Sequence, residues 1–133
     1  MQVSRKFSVL IAMTILVIAG IAAVPSAPNN YKNLKVLPKD ISTKDLSRIM
    51  IDEFEDGLGV SCGFCHAEEK DSHKLDYASD EKPEKEIARL MMKMTLDVNE
   101  KYFQVTHPLI GDSVLSITCM TCHKGQPRPR NPE

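Results

Sequence analysis

Cys62-Gly63-Phe64-Cys65-His66 and Cys119-Met120-Thr121-Cys122-His123 are two copies of one pattern, C-x-x-C-H, and together they hold all four cysteines of the chain. On a helical turn, residues i and i+3 project from one side, so both thiols of a copy reach a single flat group. The pattern is the attachment signature of haem c: the thiols meet the two vinyl groups of one porphyrin, and the following imidazole stands under the iron. Cys62, Cys65, Cys119 and Cys122 are thus the expected attachment residues and His66 and His123 the proximal iron ligands. The expected cofactors are two covalently attached haem c groups.

Three other readings of four cysteines fit less well. A zinc ribbon also uses two C-x-x-C pairs, but here more than fifty residues separate them and each has a trailing His. Redox-active C-x-x-C pairs expect a thioredoxin-like βαβ context, which the pattern of the chain lacks. Disulfides closed within one C-x-x-C would staple little of the fold.

Working outward, each motif is preceded by a matching helix. Ser47-Arg48-Ile49-Met50 is echoed by Ala88-Arg89-Leu90-Met91, and Val60-Ser61-Cys62 by Ile117-Thr118-Cys119. The first helix has a capping-box-like start at Ser42 with Asp45, an apolar face at Leu46, Ile49, Met50 and Phe54, and a stop at Gly57 and Gly59. The second opens around Asp80 with Pro83 in its first turn. Ile87, Met91, Met94, Val98 and Tyr102 share one face of it, and Met92, Leu96 and Phe103 lie on a neighbouring stripe. The fold class expected is mainly α, a small multihaem cytochrome c of two helix–turn–CxxCH units packed around two haems.

Methionine on an apolar helical face is ordinarily core filler. Met50 and Met91 rise above that reading because they hold equivalent places in both units, and a thioether is a suitable soft sixth ligand for haem iron. Met94 rivals Met91 from one turn further along. His73 and His107 remain candidates for bis-His ligation, His73 from a polar loop suited to the surface. Arg48 and Arg89, two residues before each Met, are read equally as partners of haem propionates or as a solvated helix face.

The N-terminus has a different character. Arg5 and Lys6 precede an apolar run from Phe7 to Val24, the pattern of an export signal or, if uncleaved, of a short membrane anchor. Residues 1–28 are assigned to that segment, expected to be a hydrophobic helix; residues 29–125 to the haem domain; and 126–133, rich in Pro, to a flexible tail. The domain is short, and the whole chain has no Trp, four Phe and three Tyr, so its core is expected to need a non-protein group. Without Arg5 and Lys6, fifteen basic side chains face eighteen acidic ones, and no basic patch or nucleic-acid motif appears.

The run Ala88-Arg89-Leu90-Met91-Met92-Lys93-Met94-Thr95 with Val98-Asn99, and the run Ile117 to Pro127, resemble the photosynthetic reaction-centre cytochrome c subunit family. The likeness extends from about Pro38 onward. It implies that each haem is flanked by a helix delivering an axial Met, here Met50 and Met91, with Met94 as a packing residue. That family carries four haems, whereas this chain has motifs for two, so it resembles one half. The connection from Tyr102 to Thr118 is longer than the family pattern and contains His107. A photosynthetic role is not implied. The function expected is electron transfer by a diheme cytochrome, exported, on the periplasmic side and anchored to the inner membrane, serving a respiratory chain with redox proteins as partners. A haem enzyme (a peroxidase or small-molecule reductase) and an electron-transfer subunit of a larger complex are the alternatives; no enzymatic activity is expected of the leading reading.

Overall fold

Ser42 starts the first helix as expected: its hydroxyl accepts from the Asp45 N–H at 3.0 Å, satisfying one orphan donor, and the Asp45 carboxylate suits the positive helix end. The computed structural model describes residues 31–129; the apolar N-terminal segment and its expected helix lie outside them. Helix α1 spans Thr43–Ile49 and passes directly into a π-helical segment, π1, spanning Met50–Asp56. The wider i→i+5 turn of π1 was not legible in the spacing of Leu46, Ile49, Met50 and Phe54, though all four do turn to the core. Of the two expected stops, Gly57 keeps right-handed helical angles and Gly59, at φ +63°, ends the run.

The first cysteine motif follows as the one-turn helix α2, Cys62–Cys65, and a short antiparallel hairpin pairs β1 (Ala67–Glu68) with β2 (Leu75–Asp76). The long helix α3 then runs from Pro83 to Phe103. Proline suits a helix start because its missing N–H would have been unsatisfied there anyway. Asp80 lies ahead of the helix and serves an ion cluster. The second motif forms α4, Cys119–His123. Helix is the main regular structure of the described residues, and none of their helices is long and apolar enough to cross a membrane.

Leu37, Ile49, Met92 and Ile110 are the buried centre, and Leu34, Val36, Ile41, Leu46, Met50, Phe54 and Leu96 pack against it. The orientation of α3 is unexpected. Its buried positions are Lys85, Arg89, Met92, Thr95 and Asn99. The more apolar stripe is left outward, with Ile87, Met91, Met94 and Tyr102 exposed. A polar stripe can face inward only when its groups are bonded, and here they are. Arg89 donates to Asp80 and Glu86 at 2.8 Å each and to the Asn33 carbonyl at 3.2 Å. Lys85 donates to the carbonyls of Tyr77 and Ser79.

Candidate functional site

Both cysteine motifs fold as helical turns entered from extended backbone, at Ser61 and at Thr118. The contacts between units run crosswise. Turn α2 packs on α3, the helix of the second unit, and turn α4 packs on π1, the segment of the first. Lys82 donates to the Gly63 carbonyl on the first side. On the second, the Cys119 N–H points at Glu53 Oε2, 3.4 Å away, and Gly125 N–H donates to the Gly57 carbonyl at 3.1 Å. Gly57 lies so close to the second turn that a side-chain carbon on it would stand 3.5 Å from Cys119 Cβ.

The two turns differ in their local supports. Around α4, Thr118 and Thr121 form a reciprocal capping box, the Thr118 N–H donating to Thr121 Oγ1 at 3.0 Å. Lys124 and Gly125 then take left-handed angles, which folds the chain back so that the Gln126 carbonyl lies 2.9 Å from His123 Nδ1. A carbonyl only accepts, so Nδ1 carries a proton, and in the neutral ring this leaves the lone pair on Nε2, the tautomer a metal-ligating histidine needs. At the first turn, His66 meets Tyr77 edge-on with centroids 5.0 Å apart, and its buried Nδ1 has no hydrogen-bond partner among the described residues. Burial, followed by the cations of Lys85 and Arg89, lowers the His66 pKa and so favours the neutral ring.

Cys62 and Cys122 are exposed; Cys65 and Cys119 are half-buried, and none forms a disulfide. Burial, with Glu53 adding to it, pushes the Cys119 thiol up to about 12. Burial and Glu84 also raise Cys65. Open cavities adjoin both turns, one of about 610 Å³ bordered by Gly59, Val60, Phe64 and Lys82, the other of about 430 Å³ bordered by Cys122, His123 and Gln126.

Met50 is half-buried against the core at the junction of α1 and π1, while Met91 and Met94 both stand on the outward face of α3. His73 is 93 % exposed and lies 3.7 Å from Glu68; His107 is exposed too, and both take positive φ. Arg48 is exposed and donates to the Gly111 carbonyl. Arg89 is no solvated residue: it is 5 % exposed inside the Asp80 cluster.

A large flat apolar group fits this arrangement. Among the described residues only Leu37, Ile49, Ala67, Met92 and Ile110 are buried apolar side chains, a small core for about a hundred residues. Phe64, Ile87, Leu90, Met91, Met94 and Met120, on the two turns and the outer face of α3, remain exposed, more apolar surface than solvent exposure favours. Sequence reasoning missed two supports. The Gln126 partner is a main-chain carbonyl, which any residue type provides. Asn99 carries no local signal beyond its place in the run that resembles the family.

The family described as photosynthetic reaction centre cytochrome C subunit matches residues 13–132. The chain is 32 % identical over 108 residues to the photosynthetic reaction center cytochrome c subunit of Rubrivivax gelatinosus, covering 80 % of this chain and 25 % of that protein. It is also 32 % identical over 109 residues to cytochrome c-554 of Chloroflexus aurantiacus, covering 82 % and 24 %. The chain thus spans about a quarter of the length of these relatives. No solved structure matches it.

Proposed function

Because the chain belongs to the photosynthetic reaction centre cytochrome C subunit family, we propose that it is a diheme c-type cytochrome that passes electrons between redox proteins. The observation that carries the reading is the pair of folded C-x-x-C-H turns, the second with its imidazole Nδ1 held 2.9 Å from the Gln126 carbonyl. Cys62 and Cys65 would bind one haem c, and Cys119 and Cys122 the other. His66 and His123 would hold the irons from one side, and Met50 and Met91 would close the other. Haem c held this way supplies a one-electron centre whose potential a thioether ligand raises relative to a second histidine.

The protein's own part is to hold and to shield. The Gln126 carbonyl orients His123, and the apolar side chains of the turns and of α3 keep water from the group. With Met on each sixth position neither iron would offer a face to a substrate, which favours a carrier over a peroxidase or reductase. Encounters with partners would be small and transient, as redox encounters are. Residues 1–28 would take the domain across the inner membrane and hold it at the periplasmic surface of a respiratory chain; protein released by carbonate extraction would argue against the anchor.

The deciding experiment is a pyridine haemochromogen assay joined to optical spectra with and without carbon monoxide. Two low-spin c haems per chain, a methionine–iron charge-transfer band and no response to the gas are expected. Carbon monoxide binding to one haem would replace the carrier reading with an enzyme or sensor. Zinc without iron would end it.

A further inference from the structure

Asn99 has no exposed surface at all, the one fully buried large side chain among the described residues. A carboxamide has two N–H donors and an oxygen with two lone pairs, and here all four are used. Nδ2 donates to the Thr95 carbonyl at 2.9 Å and to the Ile117 carbonyl at 2.7 Å. Oδ1 accepts from the Ser116 N–H at 2.8 Å and the Ile117 N–H at 3.1 Å. Ile117 is therefore gripped at both its N–H and its carbonyl, as a neighbouring strand would grip it. The next residue, Thr118, caps α4, and Cys119 is the first residue of that turn.

The two units need different devices to reach this point. Gly59 to Ser61 joins the first helical run to Cys62, and the link is short enough to be set by main-chain bonds such as Val60 N–H to the Glu55 carbonyl. Between Phe103 and Cys119 lie fifteen residues without helix or strand, and a connection of that length leaves its far end loosely placed unless something ties it down. In the repeat, Leu58 occupies the place of Asn99, and it has no amide to offer. Asn99 lies eight residues after Met91 on one helix, about 12 Å along its axis.

We propose that Asn99 is the positioning residue of the second haem site: it fixes the turn Cys119–His123 to α3, so that the attachment residues, His123 and the methionine of α3 are held in one frame. The assignment rests on the two-haem reading above. It makes the geometry of the second iron depend on a side chain that touches neither haem nor iron, while the first iron is independent of it.

The test uses full-length holoprotein of the wild type and of Asn99→Ala, with Asn99→Ser as the milder variant should Asn99→Ala be recovered without haem. The readouts are haem per chain, the methionine–iron charge-transfer band, and a spectroscopic redox titration resolving two midpoint potentials. Expected is a wild type with two haems and a variant in which one potential moves, the other stays, and the charge-transfer band falls by about half. Potentials that both hold, or both move together as general loosening would make them, would overturn the assignment alone. A wild type without haem on Cys119 and Cys122 would overturn both the assignment and the reading beneath it.

Discussion

Asp80 shows how much one side chain can organise. It accepts from Lys35, Arg89 and Asn33 at 2.8 Å each. The Lys35 bond first, then those of Arg89 and Asn33, hold its carboxyl far below the usual carboxylate range. A carboxylate whose pKa is depressed by folding stabilises the protein above the unfolded value near 3.9, and that contribution fades as pH falls below it. Asp80→Asn is expected to lower the melting temperature at pH 7, with the gap to wild type closing as the pH is taken down from about 4 toward 2. A gap that stays constant over that range would show that the charge of Asp80 is immaterial. Gly59 is the second sensitive residue. Its φ is +63°, and a side-chain carbon there would overlap the Gly125 carbonyl oxygen. Gly59→Ala should cost about 1–3 kcal/mol in backbone strain alone, with the clash added, read as a lower denaturant midpoint at unchanged slope. At this scale the sequence was most legible where spacing dictates a local shape: both C-x-x-C-H motifs fold as the helical turns expected of them. It was silent where the partner is main chain, as for His123 with Gln126, and misleading at Arg89, whose acidic partner Asp80 lies ahead of the helix rather than at its opening.

Helices tell a mixed story. The caps and the glycine stop of the first were readable because each rests on a local hydrogen bond or dihedral. The π-turn of π1 was not, since Leu46, Ile49, Met50 and Phe54 satisfy an α-helical period equally well. On α3 the apolar periodicity was real, yet the inward stripe is the polar one, because Asp80, Glu86 and the Ile117 backbone satisfy Arg89 and Asn99. What the periodicity marked was the face that stays exposed. Met91 and Met94 share that face, three residues apart and both exposed, so substitution must separate them. Met91→His is expected to convert one haem to bis-His ligation, lowering its potential and removing its charge-transfer band. Met94→His should leave both signals in place. The reverse result would transfer the ligand role to Met94.

Taken as a whole, the molecule is two repeats that interlock. The repeated pattern was plain in the sequence, but the crosswise contact was hidden, because on the second side it runs through main-chain atoms at Gly57, Gly59 and Gly125. Each attachment turn leans on the other unit's helical segment, so neither half keeps its supports when the other opens. Unfolding by guanidinium is therefore expected as a single transition, coincident by far-ultraviolet circular dichroism and by haem absorbance. Two separated steps would mean that the halves are independent.

The bond from Gly125 to Gly57 also bears on how such a chain changes over generations. A backbone-to-backbone contact asks of its neighbours only that they stay out of the way. Substitutions around it can accumulate without altering the separation of the two turns, provided a few glycines persist. A lineage can thus rewrite its surface for new partners while inheriting the spacing between its two C-x-x-C-H turns unchanged.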